Sequence, residues 1–243
     1  MAGNRERPAN CRFLLAGLIA LLIAFPFLED IARPLVLMMP IAVVFVAGVV
    51  FADGGRAHVR RGLAIASVQV GFTVFSLLAR GERALYLVAV SCALLSTVVL
   101  ILFATYCVLR YVLNARTISL DQIYAGICMY VMLGFAFGAV FYLINILDPH
   151  SFTAAAQTPG ETPDLMYFSF VTLATLGYGD IVPRNNISRG LTVLEALGGM
   201  IYIAVFMARL VSLRSYPNPA DPDDRQLVAA SDARAIPPAR DGQ

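Results

Sequence analysis

The chain has 243 residues, of which 59% are hydrophobic and 14% charged, with a mean hydropathy of +0.74. The apolar residues come in long blocks that a soluble core would break up, which excludes a soluble globular domain and indicates a polytopic membrane protein. A formal net charge of +2 without a basic stripe excludes a nucleic-acid partner.

Six apolar segments follow one another at 13–28, 34–51, 62–79, 84–109, 122–147 and 190–213. Each is near the ~20 residues a helix needs to cross the hydrocarbon core. Arginines precede the first in the manner of a signal peptide, but "FPFLED" lacks an A-x-A-like cleavage site, so it is expected to remain as a helix. Lysine is absent, and the arginines near the membrane are unevenly shared. Arg5, Arg7, Arg12, Arg56, Arg60, Arg61, Arg110, Arg116, Arg209 and Arg214 fall on the side of the N-terminus, against Arg33, Arg80, Arg83, Arg184 and Arg189 on the other. That imbalance predicts two cytoplasmic termini. Cys11, Cys92, Cys107 and Cys128 lie in or beside apolar runs without CxxC spacing. They are read as small buried hydrophobes, with no disulfide and no metal site.

The stretch 148–189 lies outside, between the last two spans. Within it, "TPD" at 162–164 reads as a helix start, with Thr162 as cap, Pro163 at the first helical position and Asp164 in the first turn. A helix over 163–174 would be only ~18 Å long, enough to go partway across and no further. The segment after it must climb back out. Residues 215–243, beginning "SYPNPADPDD", are rich in proline, acid and alanine and read as a disordered cytoplasmic tail.

The returning segment carries the chemistry. Thr172, Leu173, Ala174, Thr175, Leu176, Gly177, Tyr178, Gly179 and Asp180 stand in the pattern T-x-x-T-x-G-Y-G-D. Irregular backbone at membrane depth survives only where protein covers it or water reaches it. The nine residues, set between two spanning helices, resemble the selectivity filter of the potassium channel pore-domain family. The resemblance covers roughly residues 120–213 and implies an all-α membrane fold. In it, an outer helix (122–147), a re-entrant pore helix (163–174), the filter (175–180) and an inner helix (190–213) follow in order. It further implies that backbone carbonyls of Thr175, Leu176, Gly177, Tyr178 and Gly179 replace the hydration shell of potassium. Aiming all of them at one axis needs alternating backbone handedness, which Gly177 and Gly179 supply. Leu176 and Tyr178 would pack the filter against the pore helix. Leu176 departs from the commoner valine, which alters packing rather than carbonyl chemistry. Asp180 sits at the outer mouth near water, and Thr172 supports the filter from the pore helix. One filter per chain requires four copies, so a homotetramer among membrane lipids is expected. K+ is the permeant ion and no cofactor is called for. The resemblance also implies a multi-pass protein of a bacterial inner membrane.

The inner helix carries Gly198 and Gly199. Gly199 has the family's hinge offset, nineteen residues beyond Asp180, where a helix can bend to open a gate; close helix packing is the other reading. Glu195 is an acid within a span, a functional residue by default. It could face the cavity, or lie behind the filter against Ser169 or Thr172; its place one turn before the hinge favours the second.

Residues 110–214 are thus read as the pore domain, behind a cytoplasmic N-terminus (1–12) and a four-helix membrane domain (13–109). Six spans resemble a voltage-gated channel, whose fourth helix carries arginines at every third position. Here the fourth span has none before Arg110, so weak or absent voltage gating is expected. Between it and the outer helix, Ser119 and Gln122 have capping-box spacing. His150 in the outer loop could sense pH or be merely solvated, and His58 reads as solvated. The function expected is passive, potassium-selective conduction. A less selective cation channel is the alternative, and a transporter or sensor borrowing the loop lacks the repeats it would show. No nucleophile–base pair suggests an enzyme.

Overall fold

The computed structural model describes residues 11–24, 56–114, 120–154 and 164–214, together with 42, 46, 48 and 50. In chain order these form α1 (Cys11–Ala24), α2 (Arg56–Leu78), α3 (Arg83–Asn114), α4 (Leu120–Leu147), β1 (Phe152–Ala154), α5 (Leu165–Leu173), β2 (Ile181–Pro183) and α6 (Asn186–Arg214). A single 3-10 turn over Ala79–Gly81 joins α2 to α3. Among the described residues, apart from two three-residue strands, the fold is helical. Among them four helices are long and apolar enough to cross a membrane: Ala57–Leu78, Arg83–Leu113, Leu120–Leu147 and Asn186–Arg209. The described part of the first segment is a 14-residue helix. The second segment, 34–51, falls mostly outside the described residues, as do Thr162, Pro163, Ser119 and the 215–243 tail.

One core joins α1, α3 and α4. Leu14 and Leu18 of α1, Ile101, Ala104 and Val108 of α3, and Met132 and Phe135 of α4 all belong to it. Cys128 also lies in it, its thiol 3.8 Å from the Cys11 carbonyl, and both cysteines are free. Ala42 belongs to the same core, and a side chain at Gly48 would sit 3.2 Å from Leu14. Polar residues within α2 and α3 bond back to the preceding turn: Thr73 to the Gln69 carbonyl, Ser76 to Thr73, Thr97 to Ala93 and Thr105 to Ile101. Such bonds let hydroxyls sit in an apolar medium without an outside partner.

α3 runs through to Asn114, five residues past the expected end at 109, so its 32 residues make a rod of ~48 Å. The arginines that bracket its apolar stretch are Arg83 at its start and Arg110 near its end. The C-terminus of α3 meets that of α6, where Arg209 donates to the carbonyls of Val112 (2.8 Å) and Leu113 (3.0 Å). These are among the last carbonyls of α3, which have no partner within their own helix.

Candidate functional site

The short helix α5 is seated on α4 by glycines. Gly134 and Gly138 lie one turn apart on α4. An added Cβ would stand 2.6 Å from the Phe170 ring at the first and 2.5 Å from the Met166 sulfur at the second. Met166 and Phe170 are themselves one turn apart on α5, so two knobs enter two glycine gaps. Small residues at i and i+4 permit this close crossing between membrane helices. The G-x-x-x-G spacing was the available signal for this contact, and the sequence reading did not use it.

The start of α5 differs from expectation. Its cap is Asp164, two residues beyond Thr162, and the carboxylate accepts the Tyr167 N–H at 3.1 Å. Aspartate and threonine both cap well; Asp164 is the one three residues before Tyr167, the reach of a capping side chain.

The end of α5 accounts for each of its last carbonyls. Phe170 O accepts from Ala174 N at 2.9 Å. Val171 O accepts from Leu176 N and Thr172 O from Thr175 N, both at 2.9 Å. This crossed pair is a Schellman motif, whose penultimate residue must be left-handed. That residue is Thr175, at φ 57°. Leu173 O accepts the Tyr130 hydroxyl of α4 at 2.8 Å. Tyr130 was not anticipated, because nothing in the sequence around it distinguishes it from a core tyrosine.

From that turn the backbone alternates. Thr175 (57°), Gly177 (56°) and Gly179 (76°) have positive φ, whereas Leu176 and Tyr178 do not. Alternating handedness turns successive carbonyls toward one side. Among the described residues, no backbone bond takes up the carbonyls of 175–179. All residues from Ala174 to Asp180 are exposed in the single chain. Leu176 and Tyr178 are 55% and 65% exposed in the single chain.

Beyond the segment, β1 and β2 pair antiparallel with Phe152 opposite Pro183 and Ala154 opposite Ile181. Phe152 and Ile181 close a core with Phe141, Leu165 and Phe168. A polar knot follows. The Asn185 amide donates to Asp148 (3.0 Å) and to the Ser151 hydroxyl (2.7 Å), while its carbonyl oxygen caps α6 through Ser188 N at 2.7 Å. The Asn185 amide and the His150 N–H hold the Asp148 carboxyl below the usual carboxylate value. His150 itself enters through that backbone N–H. The Asp180 carboxylate lies against the Tyr167 hydroxyl.

Behind α5 stands α6. Glu195 is fully buried, and its Oε1 is hydrogen-bonded to the Ser169 hydroxyl. Of the two candidate partners it is Ser169 that makes the contact. One turn on, a Cβ at Gly199 would meet the Leu173 side chain at 2.9 Å and its carbonyl at 3.1 Å, so Gly199 is a close-packing position. Gly198 has open space around it, and α6 is continuous through both.

Comparison with known proteins places this half of the chain. Residues 128–214 match the family model described as "Ion channel". The two pore potassium channel c of Oryza sativa subsp. japonica is 30% identical over 84 residues, 35% of this chain and 18% of that protein. The inward rectifier potassium channel Kirbac3.1 of Paramagnetospirillum magnetotacticum is 45% identical over 47 residues, 19% of this chain and 16% of that protein. Protein LctB of Geobacillus stearothermophilus is 31% identical over 99 residues, 39% of this chain and 73% of that protein. The chain thus spans under a fifth of the two named potassium channels.

Proposed function

Since the chain belongs to the potassium channel pore-domain family, we propose that it conducts K+ selectively and passively across the membrane, through a pore built from four copies. Family and relatives are ion channels and not enzymes. The observation that carries the proposal is the run of free carbonyls from Thr175 to Gly179 on an alternating backbone. A dehydrated K+ needs several oxygens at once, which one chain cannot supply at any level; four around an axis can. In this reading Thr175, Leu176, Gly177, Tyr178 and Gly179 bind the ion. Thr172 and Glu195 support them, Asp180 marks the outer mouth, and the inner helix bends at Gly198 and Gly199.

The exposure of the site supports assembly. Leu176 and Tyr178 face outward, and so do Val193, Leu197, Ile201 and Val205 of α6. An inner helix with so little cover in one chain is suited to line a pore and meet its neighbours. We read the chain as six spans with both termini cytoplasmic, in a bacterial inner membrane. Purified protein in liposomes tests the function: under bi-ionic conditions the reversal potential should follow potassium. A reversal potential indifferent to exchanging K+ for Na+ would instead identify a less selective cation channel. Cross-linking should stop at four copies.

A further inference from the structure

Three helices meet at one buried hydroxyl. Ser169 Oγ of α5 lies 2.8 Å from the Gly134 carbonyl of α4 and is hydrogen-bonded to Glu195 Oε1 of α6. A serine hydroxyl has one proton. The Gly134 carbonyl is an acceptor only, and an ionised carboxylate is an acceptor only. One proton cannot serve both, and with Glu195 ionised one of these two oxygen–oxygen contacts would hold no hydrogen. Ser169 and Glu195 are both 0% exposed, so the pair is sealed from bulk solvent.

A proton on Glu195 resolves the count. The carboxyl then donates to Ser169 Oγ, and Ser169 donates onward to Gly134 O. We propose that Glu195 holds a proton in the folded channel and heads a relay, Glu195 to Ser169 to Gly134, that pins the inner, pore and outer helices together behind the filter. The reading deepens the proposed function and rests on it for the word filter, but not for the proton.

Two further observations agree. Glu195 Oε2 is buried without a hydrogen-bond partner. A carboxylate shares its charge between both oxygens and would strand half of it there, whereas in a neutral carboxyl an under-satisfied oxygen is tolerated. Among the described residues no cation compensates either. On its own helix Arg189 and Arg209 are six and fourteen residues away, ~9 and ~21 Å along the axis. The first is turned to the Pro183 carbonyl and the second to α3. From α4 the titratable group near enough to feel a charge on Glu195 is Tyr130, which carries none at neutral pH; α5 offers Ser169. Because one chain already buries Glu195 completely, neither a neighbouring subunit nor the ion pathway reaches it.

The test separates the proton from the conduction. Infrared spectra of wild type and Glu195→Gln, as reconstituted full-length protein at neutral pH, should differ by a protonated-carboxyl C=O band that is present only in wild type. Absence of that difference overturns the proposal, whatever the channel conducts. Glutamine keeps a donor for Ser169, so Glu195→Gln should pass K+ within about twofold of wild type. Glu195→Ala and Ser169→Ala should each lower the population of heat-resistant assembled channel, roughly tenfold, as loss of a buried hydrogen bond does. The double variant should lose no more than either alone, because the two residues act as one unit. If Glu195→Gln is as impaired as Glu195→Ala, or if the two losses add, the relay is wrong. Failure of wild type to select K+ would defeat the filter reading and leave the infrared result standing.

Discussion

The two sides of α5 are built differently. Its rear is finished within one chain: Met166 and Phe170 fill glycine gaps on α4, Tyr130 closes the last helical carbonyl, and Ser169 and Glu195 are sealed from solvent. Its front is unfinished. Leu176 and Tyr178 project into open space beside a row of free carbonyls. The rear uses side chains to satisfy and cover backbone, and the front leaves backbone uncovered for something else to meet. Folding and assembly are therefore separable, and substitutions on the two sides should fail in different ways.

The strongest break is at the front. Gly177→Ala puts a Cβ on a residue at φ 56°, which costs about 1–2 kcal/mol in each chain and favours turning its carbonyl away. K+ flux into liposomes should vanish while the protein still folds; normal flux would end the assignment of the filter. Leu176→Ala should remove roughly 2 kcal/mol of burial per chain, but only in the assembly. The heat resistance of the oligomer in detergent should fall while the helix content of the separated chain is unchanged.

At the rear the order reverses. Gly134→Val drives a side chain into the Phe170 ring and should cost the single chain about 1–3 kcal/mol by overpacking. The loss should be visible in chemical denaturation of the monomer. A smaller effect concerns the outer knot. The folded value of Asp148 lies below its free value of 3.8, so its contribution is complete above that pH and disappears as pH falls through the lower folded value. The protection of the Ser188 and His150 amides against hydrogen exchange, taken relative to the unfolded rate at the same pH, should fall under acid conditions, and Asp148→Asn should remove that acid step. The smallest effect is expected from voltage. Each charge moved through the membrane field is worth ~2.3 kcal/mol per 100 mV. The apolar body of α3 has none to move, so a steep conductance–voltage curve would contradict its reading.

What was legible in the sequence was local. The left-handed backbone at Gly177 and Gly179 follows from residues adjacent in the chain, and the long apolar helices follow from runs of composition. Thr175 was harder, because its positive φ is imposed by the way α5 ends and not by its own side chain. The contacts of Tyr130, Gly134 and Gly138 join positions some 30 to 40 residues apart, which periodicity within one helix cannot pair. Glu195 stood out through its charge, and the sequence narrowed its partner to Ser169 or Thr172; only the rotation of α6 against α5 separates the two. The strands β1 and β2 escaped notice because three residues are too few to show an alternation. The surroundings of Leu176 and Tyr178 are not legible in local sequence either, and in the single chain both are exposed.

Arg209 ties the far end of the inner helix to the N-terminal half of the molecule. Its guanidinium is shared between two carbonyls at the end of α3. Bonds to a charged donor of this kind are worth about 1.5–3 kcal/mol. An outward swing of the α6 terminus must therefore either snap this coupling or drag α3 with it. In mechanical terms α3 is a load hung on the end of α6.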